Sequence, residues 1–217
     1  GSDILRNKDI RSLGPLLRKA ISGADWTIAV SEELRDEMLK LGASQERISV
    51  IPNGIDAEVF SCLPSKYARR ELGIEEQRRW LVSVARLDPN KGQHVIVEAL
   101  ARLGEDFLNR EKVRLALVGT GESEKSLRAL VQERRLNSFV YFAGQQPQEK
   151  VRLWYNAAEV SILASFREGS PNAVLESLAS GSPVIASRVG RNEMILTERK
   201  NGLLFDAGNA AGLADTI

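Results

Sequence analysis

From Trp80 onward the chain alternates two patterns. Short apolar runs rich in β-branched residues fall at 80–85, 113–118, 139–142, 160–163 and 183–186. Between them, apolar residues recur at helical spacing over about 92–104, 122–136, 148–157 and 171–180. Runs this short and continuous fit strands buried on both faces, and the intervening segments are long enough for amphipathic helices. Four strand–helix units feeding a fifth strand predict an α/β fold, a Rossmann-like parallel sheet with helices on both faces. Ligands of such sheets bind beyond the carboxyl ends of the strands, so the loops after the strands are where chemistry is to be sought.

The first fifty residues read differently. Residues 4–22 mix leucines with five basic side chains, an amphipathic pattern broken at Gly14-Pro15. A surface helix with a solvated basic face and a membrane-contacting helix both fit it. Trp26–Val30 reads as a strand, with Ser31 as the cap of a helix whose first turn holds Glu32 and Glu33 and which ends near Leu41-Gly42. Ile48–Ile51 reads as a further strand, closed by Pro52-Asn53-Gly54. Gly1-Ser2 reads as the scar of a cleaved tag, and the helical pattern over Gly208–Ile217 stops without a cap. A piece of a longer protein is therefore expected.

The densest chemistry lies in VSILASFREGSPNAVLESLASGSPVIAS, residues 160–187. A strand over Val160–Leu163 gives way to a polar turn ending in Glu168 and Gly169. Ser170-Pro171 then supplies an N-cap residue and a proline suited to the first helical position. The helix that follows stops at Gly181. Val174, Leu175 and Leu178 are read as its core face, and Glu176 shares the other with Asn172, Ala173, Ala179 and Ser180. Glu168 reads as a loop charge or a ligand group, and Glu176 as a surface position or the floor of a crevice. Free N–H groups at a helix start suit phosphate, and carboxylates suit sugar hydroxyls.

Two glutamates separated by seven residues, within E-G-x-P-N-x-x-x-E and ahead of G-x-P-V-I-A, resemble the donor-site signature of the retaining family-4 glycosyltransferases. Ser31 and the P-N-G-(I/V)-D pattern at Pro52–Asp56 resemble the end of that family's N-terminal domain and its crossing to the second. The resemblance covers about residues 25–217. It implies the C-terminal half of a two-domain GT-B fold over 55–217, with a remnant of the N-terminal, acceptor-binding domain over 1–54.

The remaining loops can be read beside that resemblance. Arg86 and Lys91 flank a turn after the first strand, where both reach one anion or both are surface charges. The R-x(4)-K-G arrangement resembles the family's diphosphate-holding pair. Gly119-Thr120-Gly121 lacks the third glycine of the dinucleotide fingerprint, which disfavours NAD. A turn approaching the nucleotide and a plain structural turn both remain. Gln145 and Gln146 lie in the loop that, in the family, borders the base. Arg191 stands where the family has the second glycine of a G-G pair. The single histidine, His94, lacks partners for a metal cluster and reads as a packing or capping residue.

Composition narrows this further. Thirty basic against twenty-nine acidic residues give no electrostatic case for nucleic acid. A single cysteine, Cys62, rules out an internal disulfide and a cysteine-built zinc site. No apolar run approaches the length of a membrane span. A cytoplasmic setting is expected, with peripheral membrane contact open for the full-length enzyme.

The resemblance implies transfer of a sugar from a nucleoside-diphosphate donor to an acceptor hydroxyl with retention, without a metal. Arg86 and Lys91 would stabilise the departing diphosphate. Glu168 would orient the sugar, Glu176 would accept the ribose hydroxyls, and Gly169, Ser170, Pro171 and Asn172 would line the phosphates. Gly119, Gly121 and Gln145 would border the nucleoside. The acceptor (glycan, lipid-linked or small molecule) is not legible. A sugar-nucleotide epimerase and a non-catalytic nucleotide-binding module are the alternatives. The chain by itself is expected to bind donor without transferring sugar, with residues 4–51 pairing with a second copy or mobile.

Overall fold

The structure, a computed structural model, describes residues 13–217. The part of the basic amphipathic segment that precedes Leu13 lies outside the described residues. Two compact units are present. One holds the described residues up to Gly54 together with Glu168–Pro171, and the other holds Ile55–Arg167 with Asn172–Ile217.

In the first unit, α1 (Gly14–Ser22) has its proline in the opening turn, where a missing N–H is tolerated. β1 (Thr27–Ala29), α2 (Glu32–Lys40) and β2 (Ile48–Val50) follow, and the two strands pair in parallel from Thr27↔Ile48 to Ala29↔Val50. Ser31 Oγ accepts the Leu34 N–H at 3.2 Å, the expected cap. Ile21, Ala29, Leu34, Met38 and Leu41 form a small core, whereas Trp26, Ile28 and Ile51 are more than half exposed at 56%, 57% and 54%.

In the second unit, α3 (Ser65–Glu71) precedes β3 (Arg79–Val84), α4 (Gln93–Leu103), α5 (Glu105–Arg110) and β4 (Val113–Val118). Then come α6 (Glu124–Glu133), β5 (Val140–Gly144), α7 (Gln148–Ala157), β6 (Val160–Leu163) and α8 (Asn172–Ala179). β7 (Val184–Ser187), α9 (Asn192–Ile195), β8 (Gly202–Phe205) and α10 (Ala210–Thr216) complete it. The six strands are all parallel, in the order β5-β4-β3-β6-β7-β8.

Both faces are covered, as the continuous apolar runs require. Leu81, Leu115 and Leu117 join Ile162 and Ile185 against α4, α6 and α10 on one face. Trp80, Val82, Ala116 and Val118, the alternate residues of the same strands, pack with Trp154 of α7 on the other.

The helix expected over 92–104 is α4, and a further helix, α5, follows it after Gly104, whose φ of 80° no ordinary helical residue adopts. Two expectations need correction. The sheet has a sixth strand, β8, which the fifth apolar run had closed too early. In α8 the fully buried residues are Val174 and Ser177; Leu178 packs half-buried against the same core as Val174, and Leu175 is half-buried. A serine is tolerated there because Ser177 Oγ donates to the Ser182 carbonyl at 3.1 Å.

Candidate donor-binding site

The strand order reverses between the neighbouring parallel strands β3 and β6, and the crevice outside their carboxyl ends is where such sheets hold ligands. The β3–α4 loop at this point is strongly specified. Asp88 accepts the Asn90 N–H at 2.9 Å and the Asn90 amide at 3.2 Å, and faces Arg86 Nη2 at 2.5 Å. From a buried position Gln93 donates to the Arg86 carbonyl at 3.0 Å. Arg86 holds the Asp88 carboxyl below its ordinary pKa, helped by the Asn90 N–H, and Asp88 in turn raises Arg86. The guanidinium remains 61% exposed. Lys91 is half-buried, and its N–H reaches the Asp88 carbonyl at 2.9 Å.

This loop is latched to the exit of β6. The Phe166 N–H donates to the Asn90 carbonyl at 2.8 Å. Gly92 has φ 65°, and a Cβ there would run into the Ala164 carbonyl, so glycine is required twice over. His94 is exposed and lies flat on Phe166, ring centroids 5.7 Å apart at 13°, a packing contact. Behind them, Ser187 Oγ donates to the Ser165 carbonyl at 2.5 Å, and Asn192 Nδ2 donates to the Ser187 carbonyl at 2.8 Å.

Gly119 and Gly121 are both pressed against a neighbouring loop. A Cβ on Gly119 would collide with the Ala85 carbonyl, and one on Gly121 with that of Leu87. These glycines let the β4–α6 loop lie against the β3–α4 loop, a seam closed by Leu87 N–H to Thr120 O at 3.0 Å and Ser123 N–H to Leu87 O at 3.0 Å. After β5, Gln146 spends its amide on the Ala143 carbonyl at 2.6 Å, and Gln145 is exposed.

Glu176 is half-buried in α8, and Tyr155 of α7 donates to its Oε2 at 3.1 Å. Burial lifts the Glu176 pKa above its ordinary value, partly offset by that hydrogen bond. Burial, with the facing carboxylate, pushes the Tyr155 phenol well above its own, so it stays a donor. α8 opens at Asn172, so Pro171 precedes the helix rather than beginning it. Glu168, Gly169, Ser170 and Pro171 occupy the β6–α8 connection; the first three are half-buried and Pro171 is buried. They group with the first unit, so Glu168 is placed here by its position in the chain alone. Arg191 is half-buried just before α9.

Asp88, Gln93 and Tyr155 escaped the sequence reading. Asp88 was detectable, because Asp ahead of Pro-Asn favours a side-chain-to-backbone turn. Gln93 and Tyr155 carry no such local signal.

Comparison with known proteins places the chain. Residues 65–217 match the glycosyl transferases group 1 family, and residues 3–59 match glycosyltransferase family 4. The chain belongs to the group 1 glycosyltransferases, and its sheet is the Rossmann-like C-terminal half of the GT-B fold. It is 33% identical to a D-inositol 3-phosphate glycosyltransferase of Acidothermus cellulolyticus, over 92% of this chain and 48% of the relative. It is 28% identical to a putative colanic acid biosynthesis glycosyltransferase, WcaL, of Escherichia coli, over 100% of this chain and 52% of the relative. The chain thus spans about half the length of the curated relatives it matches.

Among solved structures, Alr3699/HepE of Anabaena in complex with UDP and glucose superposes with a TM-score of 0.80 at 25% identity, covering 94% of this chain and 55% of that one. Sucrose-phosphate synthase of Thermosynechococcus elongatus shares the fold, with a TM-score of 0.82 at 24% identity, over 100% of this chain and 55% of that one.

Proposed function

We propose that this chain carries the donor-binding half of a retaining glycosyltransferase that uses a nucleoside-diphosphate sugar. The observation that carries the reading is the exposed Arg86 guanidinium, oriented by Asp88 on a loop latched to the exit of β6 at the switch point of the sheet. A family relative solved with UDP and glucose supports it.

In the reaction, the bond from the sugar's anomeric carbon to the diphosphate breaks. A bond from that carbon to the acceptor oxygen forms on the same face. The acceptor's proton passes to an oxygen of the departing diphosphate. Arg86 and Lys91 stabilise the charge that builds on the leaving group, where preorganised cations act most strongly. Glu168 holds the sugar hydroxyls. Glu176 accepts the ribose hydroxyls, and Asn172 at the start of α8 meets phosphate. Gln145 borders the base. Gly119 and Gly121 act through the shape they give the neighbouring loop.

Neither the epimerase nor the non-catalytic module draws support from the relatives. Calorimetry of the chain with UDP, ADP and GDP, each against its nucleoside, tests the reading. Binding of at least one diphosphate well above its nucleoside is expected, and indifference to the diphosphate overturns it.

A further inference from the structure

Tyr155 is 1% exposed, yet it carries a hydroxyl that buried surroundings would leave costly without a partner. That partner is Glu176 Oε2, at 3.1 Å across the gap between α7 and α8. The ring is fixed from behind: Phe60, 3% exposed, meets it edge-on with centroids 6.1 Å apart at 62°. The helix is fixed too. Asn156 Oδ1 accepts the Leu63 N–H at 2.5 Å and its Nδ2 donates to the Ser61 carbonyl at 3.1 Å. Arg152 donates to Ser61 Oγ at 2.7 Å. The chain that enters the second unit therefore wraps α7 and holds Tyr155 in one place.

A glutamate side chain turns about three bonds and an ionised carboxylate has two oxygens with about four acceptor directions. One oxygen here is claimed by a donor that cannot move, which fixes where the other lies. Two hydroxyls on adjacent ribose carbons demand such a fixed carboxylate, whereas a single hydroxyl tolerates a loose one. We propose that Tyr155 is a positioning residue that gives this site its preference for ribose over deoxyribose, by orienting the Glu176 carboxylate toward the ribose hydroxyls. The inference rests on the assignment of Glu176 to the ribose made above. Tyr155 itself does not touch the nucleotide.

The test is calorimetry with UDP and 2′-deoxy-UDP, and with the ADP and GDP pairs alongside, on the wild-type chain, Glu176→Gln, Tyr155→Phe and the double variant. Wild type is expected to prefer the ribonucleotide about tenfold, the order of one net hydrogen bond to a charged group. Glu176→Gln should lose most of that preference. Tyr155→Phe should lose most of it as well, with affinity for the deoxynucleotide held within about twofold, and the double variant should lose no more than Glu176→Gln. A buried tyrosine serving stability alone would weaken both nucleotides alike or neither, and that result for Tyr155→Phe overturns the proposal while leaving Glu176 in place. Unchanged preference in Glu176→Gln, or no preference in wild type, overturns the ribose assignment and this inference with it. If Tyr155→Phe does not fold, 3,5-difluorotyrosine at position 155 keeps the shape while altering the hydroxyl as a donor. The nucleotide preference should then shift, and an unaltered preference overturns the proposal.

Discussion

Asp88 Oδ2 stands 2.5 Å from Arg86 Nη2, so the cation proposed to meet a diphosphate is aimed by a carboxylate two residues further along the same loop. An ion pair this exposed on its arginine side contributes little stability by itself. Its value is orientation, since Asp88 is fixed by Asn90 and can hold the guanidinium without moving.

Arg86→Ala and Lys91→Ala are each expected to weaken nucleoside-diphosphate binding by about tenfold or more, in line with one charge-assisted hydrogen bond, and to leave nucleoside binding nearly unchanged. Calorimetry with both ligands reads the difference. Equal losses would mean these cations shape the loop rather than hold the phosphates.

Asp88→Asn should destabilise the chain by at most about 1 kcal/mol at neutral pH, since asparagine can still cap the Asn90 N–H and only the charge facing Arg86 is lost. The sign with pH follows from a carboxyl held below its ordinary pKa by Arg86 and the Asn90 N–H. Its contribution is fully present above the unfolded-state value and is lost as pH falls through the folded one. Urea melts of wild type and variant should therefore converge in acid. A gap that persists to low pH would place the effect in packing.

For Glu176 the sign reverses. Burial raises its pKa, so the folded chain takes up the proton more readily than the unfolded one. The cost of the charged form is absent below the unfolded-state value and complete above the folded one. Glu176→Gln should accordingly melt slightly higher than wild type at neutral pH and no higher in acid. A variant that instead melts lower at neutral pH would make the Tyr155 bond the dominant interaction.

Gly92→Ala should cost stability by two routes, a positive φ and a clash with the Ala164 carbonyl. An expected loss of about 1–3 kcal/mol, in the range of strained backbone positions, is measurable by denaturant unfolding. Nucleotide affinity should fall with it, because the same latch places Arg86. Loss of stability with unaltered affinity would separate the latch from the site.

The strands and helices of the sheet were legible where apolar runs were long and bracketed by turns, as at Leu115–Val118 or Val184–Ala186. β8 was missed because Gly202–Phe205 is a short edge strand, and only Phe205 in it is buried. The Arg86–Gly92 turn and the two glutamates stood out as residue types at telling spacings. What stayed hidden was contact across the chain. Nothing near position 155 announces that its hydroxyl meets residue 176, and the collision partners of Gly92, Gly119 and Gly121 exist only once the loops are brought side by side.

The strand order has a consequence for how the chain comes into being. β3 pairs with β4, which follows it closely, but its other neighbour is β6, which is made only after β4 and β5. During synthesis β3, one of the two central strands of the finished sheet, is therefore, for a time, an outer one with an unsatisfied side. Contacts between distant parts of a sequence form late and leave such sides open to wrong partners. The loop after β3 cannot acquire its latch to Phe166 until that vacancy is filled. A nascent chain halted before β6 would carry Arg86 but lack the hydrogen bond from the Phe166 N–H to the Asn90 carbonyl.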